Sequence, residues 1–196
     1  LYLVLGGRLE FEAVFGRRAP VVCDIGAARA RYFLNVAPVL GGVDFLGIEV
    51  SRKRVENALE KLEAAGLTNC RMVFGNALQV LRDHVPPCSL AAITLLFPDP
   101  WPKKRHHKRR LFTDSFCAHL RRTLVPGGTL FFATDHEDYF AEILPRLEAS
   151  GRLIASGIIA ITSEIRIKPA PMTPGNACRG KTKHSTQVSM RPTANT

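Results

Sequence analysis

The residues with the clearest chemical potential form one segment, residues 97–111. Its first part, residues 97–102 (FPDPWP), places the Asp99 carboxylate and the Trp101 ring among three prolines, which stiffen the backbone and reduce the entropy lost on binding. The next eight residues contain six Lys and Arg and no acid. A carboxylate can hydrogen-bond a base edge, an aromatic ring can stack on a base, and cations can neutralise phosphates. The segment therefore predicts a site that modifies a nucleic acid.

Each part of this segment also has a simpler explanation. A basic run is most often a solvated surface, and a single tryptophan is more often part of a core. His106 and His107 are adjacent, with no carboxylate or third ligand at a useful spacing, so they suit contact with phosphate or solvent better than a metal site. The combination at one predicted strand end favours the functional interpretation, and we expect no metal.

Composition limits the classes of protein that this chain can be. It has 196 residues, 46% of them hydrophobic, which is enough for one packed domain, and its net charge is +10. The excess charge lies in residues 103–110 and 163–196, a distribution typical of proteins that bind polyanions. No apolar run has the length of a membrane helix, and the five cysteines show no C-x-x-C spacing. We expect a cytoplasmic protein without membrane contact.

Alternating strands and helices must position the segment. From residue 21 to about 162, apolar runs alternate with amphipathic stretches, which predicts an α/β fold with a mainly parallel sheet and helices on both faces. The predicted strands are Val21–Ile25, Phe45–Glu49, Cys70–Phe74, Leu90–Leu96 and Leu130–Thr134. The predicted helices are Tyr32–Val39, a helix capped by Ser51 that ends at Gly66, Ala77–Asp83, Thr113–Leu124 and Glu137–Ala149.

The two ends of the chain differ from this central region. Residues 1–20 are predicted to be a lead-in to a domain at 21–162, in which the Pro-Gly-Gly at 126–128 makes a turn before the fifth strand. Beyond Thr162 the sequence is rich in proline and small polar residues. We predict that residues 163–196 form an atypical, poorly ordered basic tail.

Polar residues follow each predicted strand, where an open parallel sheet binds its ligands. They are Asp24 and Gly26 after the first strand, Glu49 at the second, Asn76 after the third, Asp99 after the fourth and Asp135 after the fifth. An acid such as Glu49 can accept hydrogen bonds from two ribose hydroxyls. The simpler alternatives are a surface or helix-dipole role for Glu49 and helix capping for Asp135.

The first loop indicates which nucleotide the strand ends would bind. Residues 26–31 (GAARAR) contain Gly26 alone of the glycines in the dinucleotide fingerprint G-x-G-x-x-G. That argues against NAD. Adenosylmethionine has no phosphates to cradle, so a looser loop can serve it.

Residues 97–111 (FPDPWPKKRHHKRRL) resemble a long, specific motif of the bacterial tRNA (guanine-N7)-methyltransferases. The resemblance runs from about Phe11 to about Ile161, through residues 15–17 (FGR), 24–26 (DIG), 47–50 (GIEV), 69 and 71 (Asn and Arg), 126–128 (PGG) and 133–135 (ATD). It implies a doubly wound, Rossmann-like class I methyltransferase fold. It also implies S-adenosyl-L-methionine as cosubstrate, tRNA as partner, and formation of 7-methylguanosine in the variable loop.

The resemblance also implies roles for individual residues. Asp99 is the family's catalytic carboxylate, and the cofactor-binding positions are Asp24, Gly26, Glu49, Asn76 and Asp99. The substrate-binding positions are Lys103 and Asp135, and the RNA-binding positions are Arg105, His106, His107, Lys108, Arg109 and Arg110. Guanine N7 has a free lone pair and no proton, so the reaction needs in-line placement and not a strong base. We therefore expect Asp99 to position the reactants and stabilise charge.

The chain departs from the family pattern at three places. Asp24 and Ala28 replace a glutamate and a glycine in the first loop, and Asn76 replaces an aspartate. Nothing in residues 163–196 matches the family's Thr-Lys/Asn-Phe/Tyr-Glu segment, so a frameshifted or truncated gene end, with the last strand of the sheet missing, is one expectation. The alternative function is a catalytically impaired or truncated family member that only binds RNA. Monomer and homodimer both stay open.

Overall fold

A seven-stranded sheet organises the computed structural model, which describes residues 1–149, 153–156 and 163–167. The strand order is β3-β2-β1-β4-β5-β7-β6, so the order reverses between β1 and β4. The first five strands in this order run parallel, and β7 is antiparallel to both of its neighbours. The strands are β1 (Val21–Ile25), β2 (Asp44–Glu49), β3 (Cys70–Phe74), β4 (Leu90–Leu96), β5 (Leu124–Ala133), β6 (Leu153–Ser156) and β7 (Ser163–Ile167).

Helices connect the parallel strands. They are α1 (Phe11–Phe15), α2 (Arg31–Val36), α3 (Arg52–Ala64), α4 (Ala77–Gln79), α5 (Asp114–Thr123) and α6 (Glu137–Ala149). A π-helical turn, Val80–His84, continues α4, and a 3-10 helix, Lys104–Arg109, precedes α5. The bounds predicted for β1, β3, β4 and α6 are confirmed.

Two apolar layers cover the two faces of the sheet. Val22 and Phe45 pack with Phe33 of α2 and Leu62 of α3 on one face. On the other face the core includes Cys23 together with residues of α5 and α6, namely Phe116, Leu120, Tyr139 and Ile143. Every residue of β1 and β2 is buried, as expected for parallel strands covered on both sides.

The structure corrects the expectation that the last strand is missing. Ser163–Ile167 forms β7, whose residues pair with β5 from Thr129↔Arg166 to Phe132↔Ser163. Residues 164–167 (EIRI) alternate polar and aliphatic side chains, which is a short strand pattern beside a proline-rich stretch. The rest of the predicted tail, residues 168–196, lies outside the described residues.

Two local predictions are also corrected. The Pro-Gly-Gly at 126–128 lies inside β5 and not before it, and the pairing with β4 shifts register there, from Leu90↔Leu124 to Ala92↔Thr129. Gly127 adopts a φ of 80° at this irregularity. Ser51 precedes α3 as predicted, but its side chain makes no capping hydrogen bond to the helix. Its backbone N–H donates instead to Glu49, 2.8 Å away.

Candidate active site

The topology brings the carboxyl ends of β1, β2 and β4 together. β1 lies between β2 and β4, and Asp24 stands opposite Gly47 on one side and Thr94 on the other. Because the strand order reverses here, this edge of the sheet is where an α/β fold forms its ligand crevice. The candidate residues Asp24, Glu49 and Asp99 therefore belong to neighbouring strands.

Asp24 is a buried carboxylate with one defined partner. Its Oδ1 accepts a hydrogen bond from Thr94 Oγ1 at 2.6 Å. Burial raises the pKa of Asp24 to about 6; the hydrogen bond from Thr94 opposes this rise, and the nearby Glu49 adds to it. The sequence analysis did not identify Thr94, although its signal was present as the one hydroxyl in the apolar run 90–96.

Glu49 is 3% exposed, and its two carboxylate oxygens bond to two different backbone segments. Oε2 accepts a hydrogen bond from the N–H of Ala28 at 3.0 Å, and Oε1 accepts one from the N–H of Ser51 at 2.8 Å. Arg54 lies on the same side, with its Nη1 3.8 Å from Oε1. The surface-carboxylate alternative is therefore wrong for Glu49, because this acid is buried. It bonds the backbone of the first loop and the backbone before α3.

The first loop contains three residues in left-handed conformations. Gly26 has a φ of 78°, donates its N–H to Ile48 O at 2.8 Å, and has no atom within 4 Å of the position where a Cβ would stand. Open space therefore adjoins the loop. Ala28 and Ala30 have φ values of 49° and 55°, which cost a residue with a Cβ roughly 1–2 kcal/mol each.

Asn76 has a clear structural partner. Its Oδ1 accepts a hydrogen bond from the N–H of Gln79 at 3.3 Å, so it is the N-cap of α4. Asparagine serves at this position as well as aspartate does. The replacement of the family's aspartate thus leaves helix capping intact.

The segment after β4 departs from regular structure. Phe97 still donates its N–H to Ala133 O at 2.8 Å, but its φ of 52° and the φ of 43° at Trp101 are left-handed. Both residues precede a proline, and Phe97 is 52% exposed. Such backbone conformations cost about 1–3 kcal/mol and cluster at functional sites. Asp99 lies between them and is exposed.

The basic residues continue directly from Trp101. Lys103 is exposed at the start of the 3-10 helix, and Arg105 and Arg109 are exposed within it. His106 stands edge-on to the Trp101 ring at 5.7 Å, and the Arg109 guanidinium lies over the same ring at 4.9 Å. His107 is half-buried, and Lys108 belongs to the same helix.

Arg110 differs from the other cations of this run. It is 8% exposed and its guanidinium forms an ion pair with Glu142 of α6. It also donates hydrogen bonds to the carbonyls of Pro100 and Trp101. In this structure Arg110 does not present its charge to solvent, and its contact with RNA phosphates stays a prediction.

Asp135 is exposed just after β5. The capping role weighed for it belongs to its neighbour, because His136 Nδ1 accepts the N–H of Tyr139 at 3.3 Å. The N–H of His136 in turn donates to Thr134 Oγ1 at 3.2 Å. Asp135 thus stays a candidate for substrate contact.

The described residues contain neither a metal-binding cluster nor a membrane-spanning helix. Within residues 1–149 and the two later strands, no three His, Cys, Asp or Glu side chains are arranged to hold a metal ion. Across the same residues no helix combines the length and the apolar character needed to cross a membrane.

Solved structures with this architecture define the class. A SAM dependent methyltransferase from Aquifex aeolicus matches with a TM-score of 0.60 and 17% identity, covering 79% of this chain and 85% of its own. The antibiotic-resistance methyltransferase Kmr matches with a TM-score of 0.61 and 18% identity, covering 85% and 95%. The fold is therefore the Rossmann-like fold of SAM-dependent methyltransferases.

A family model described as "Putative methyltransferase" matches residues 18–159, and the chain belongs to this methyltransferase family. It is 43% identical over 146 residues to a tRNA (guanine-N(7)-)-methyltransferase of Halorhodospira halophila, covering 74% of this chain and 63% of that protein. Over 136 residues it is 44% identical to the protein of the same name from Bordetella pertussis, covering 69% and 54%. The chain thus spans between half and two thirds of the length of these relatives.

Proposed function

We propose that this protein transfers a methyl group from S-adenosyl-L-methionine to N7 of a guanine in tRNA, forming 7-methylguanosine. The observation that carries the proposal is that Asp99 and the basic residues 103–109 follow β4, the strand next to β1, while the buried acids Asp24 and Glu49 lie at the same ends of β1 and β2. The relatives named above support the same reaction. Such a substrate is consistent with the cytoplasmic location expected from composition.

The residues at the ends of β1 and β2 fit adenosylmethionine. Carboxylates suit ribose hydroxyls and cationic groups, and Glu49 and Asp24 are two acids held at adjacent strand ends. The open space beside Gly26 leaves room for a ligand against the loop backbone. When bound, adenosylmethionine supplies an electrophilic methyl group. Glu49, Asp24 and Gly26 would bind and orient it, and Asn76 would border it from the start of α4.

Asp99 and its neighbours would orient the guanine. N7 is nucleophilic without losing a proton, so Asp99 needs to hold the purine in line and to offset the positive charge that the purine acquires. Trp101 offers an aromatic surface two residues away, and Lys103 and Asp135 are exposed on the following loop and after the neighbouring strand. No residue is assigned as a general base, because N7 carries no proton.

Arg105 and Arg109 would bind the tRNA backbone. Both are exposed on the 3-10 helix, and each cation that neutralises a phosphate releases a condensed counterion. Because Arg109 stacks on Trp101, the same side chain links the phosphate-binding surface to the segment that carries Asp99.

Methyl transfer from labelled adenosylmethionine to unmodified bulk tRNA tests the proposal, with the product nucleosides identified by mass spectrometry. The expected product is 7-methylguanosine. Tight, salt-sensitive tRNA binding without any methylated nucleoside would favour the RNA-binding alternative. A different methylated nucleoside would keep the class of enzyme and reject the guanine N7 target.

A further inference from the structure

Among the described side chains of residues 103–110, Arg110 is the one that contacts both the backbone after Asp99 and α6. Its Nε donates to Pro100 O at 2.8 Å and its Nη2 to Trp101 O at 3.4 Å. Its Nη1 pairs with Glu142, and its guanidinium lies over the Tyr139 ring at 5.0 Å. Both of the last two residues belong to α6. The side chain therefore joins the backbone next to Asp99 to a helix of the core.

The segment needs such a donor. Three prolines in residues 98–102 remove three backbone N–H groups, and the segment forms no helix or strand that would pair its carbonyls. Arg110 follows Pro100 by ten residues and closes the intervening chain into a loop. Asp99 lies at one end of this loop and Arg109 at the other.

We propose that Arg110 is a positioning residue that fixes Asp99 relative to the RNA-facing cations Arg105 and Arg109. The inference rests on the proposed function. Arg110 orders the backbone that carries Asp99 and does not itself contact the tRNA. Its loss should therefore lower the rate of methyl transfer more than it lowers tRNA affinity.

The chemistry of the contacts requires arginine. A guanidinium donates from a planar fork, so one side chain can serve two carbonyls and a carboxylate while its face lies on an aromatic ring. A lysine keeps the charge but is a compact point donor. Arg110→Lys thus separates a phosphate-binding role from a positioning role. A phosphate contact tolerates lysine, whereas lysine cannot make the several simultaneous contacts of the guanidinium.

The test compares Arg110→Lys with Arg146→Lys. Arg146 also pairs with Glu142, at 3.8 Å, and is bonded to Asp114, so it controls for disturbing that carboxylate. Trp101 is the only tryptophan, so acrylamide quenching of its fluorescence reports directly on the segment. Steady-state kinetics on tRNA and the salt dependence of tRNA binding are measured on the same proteins.

For Arg110→Lys we expect stronger quenching of Trp101 and a kcat lower by roughly 10- to 100-fold, with an unchanged KM for tRNA and salt slope. Arg146→Lys should match the unsubstituted protein. Unchanged quenching and kcat, the result expected of a phosphate contact that tolerates lysine, would overturn the inference. If the lysine variant fails to fold, Glu142→Gln, which weakens the same tether, should change quenching and kcat in the same direction.

The quenching measurement also separates this inference from the proposed function. If the unsubstituted protein transfers no methyl group to tRNA, the proposed function fails, yet quenching still shows whether Arg110 orders the Trp101 segment. If 7-methylguanosine forms and Arg110→Lys is as active as the unsubstituted protein, the inference fails and the function stands.

Discussion

The two halves of the candidate site hold their acids in different ways. At the ends of β1 and β2, Asp24 and Glu49 are buried and bonded to Thr94 and to backbone N–H groups. After β4, Asp99 is exposed on a segment that lacks regular structure and contains two left-handed residues. One half is positioned by sheet register, and the other by prolines and the Arg110 contacts.

This difference predicts how each half responds to substitution. A buried acid that holds two loops contributes to folding and to ligand binding together, because its removal leaves backbone N–H groups without an acceptor. Replacing an exposed acid on a segment that other contacts hold in place should change stability little. Substitutions in the two halves should therefore separate effects on stability from effects on activity.

Asp99→Asn should have the largest effect on activity. We expect kcat to fall by roughly 10²–10³-fold, because the carboxylate that offsets the developing charge becomes neutral. Thermal stability should change little. Asp138→Asn, an exposed aspartate on α6, is the matched control and should keep normal turnover. Near-normal methyl transfer in Asp99→Asn would remove Asp99 from the reaction.

Glu49→Gln should lower both the stability of the protein and its affinity for adenosylmethionine. Replacing a charged acceptor bonded to the N–H groups of Ala28 and Ser51 should lower the free energy of unfolding by about 1–3 kcal/mol. Adenosylmethionine binding, measured by calorimetry, should weaken by a similar free energy. Glu60→Gln, an exposed change in the middle of α3, provides the control. Weaker binding with full stability would show that the two halves are less distinct than their geometry indicates.

Asp24 should make the first half sensitive to pH. Burial raises its pKa from 3.8 to about 6, so between these values the folded protein keeps a proton that the unfolded chain has released. The free energy of unfolding attributable to Asp24 therefore falls as pH rises from about 4 to about 6, and is constant above that. Denaturant titrations across this range measure the slope.

The same protonation should weaken binding of the cationic cosubstrate. We expect adenosylmethionine affinity to decrease by up to about tenfold per pH unit below about 6. Asp24→Asn should bind more weakly at neutral pH and lose this dependence. An unchanged pH profile in that variant would assign the titration to another group.

Arg109→Ala should give the smallest effect. Loss of one phosphate contact should reduce the slope of log affinity against log salt by roughly 0.7–0.9. Arg105→Ala should do the same, whereas Arg121→Ala, an exposed arginine on α5, should not. An unchanged slope in both of the first two variants would separate the 3-10 helix from the tRNA interface.

Much of the fold could be predicted from the sequence because the buried parallel strands are continuous apolar runs with clear punctuation. β1, β3 and β4 have the predicted bounds for that reason. β7 was missed because a four-residue alternating pattern is a weak signal beside a proline-rich stretch. The bulge in β5 depends on pairing with β4, which local turn residues do not reveal.

The candidate site, like the fold, could be predicted only in part. Strand-end acids are visible in sequence, since their position follows from the strand bounds. The burial of Arg110 could not be predicted from the sequence. Its charge resembles that of Arg109, and its burial depends on contacts with α6, more than 25 residues further along the chain. Thr94 was missed because its function depends on the neighbouring strand.

Methyl transfer to a tRNA transcript made with 7-deazaguanosine, compared with the same transcript made with guanosine, tests the central proposal most directly. The deaza base keeps its ring shape and Watson–Crick edge but has no N7 lone pair. We predict labelled methyl transfer to the ordinary transcript and none to the deaza transcript. Equal transfer to both would contradict guanine N7 as the acceptor.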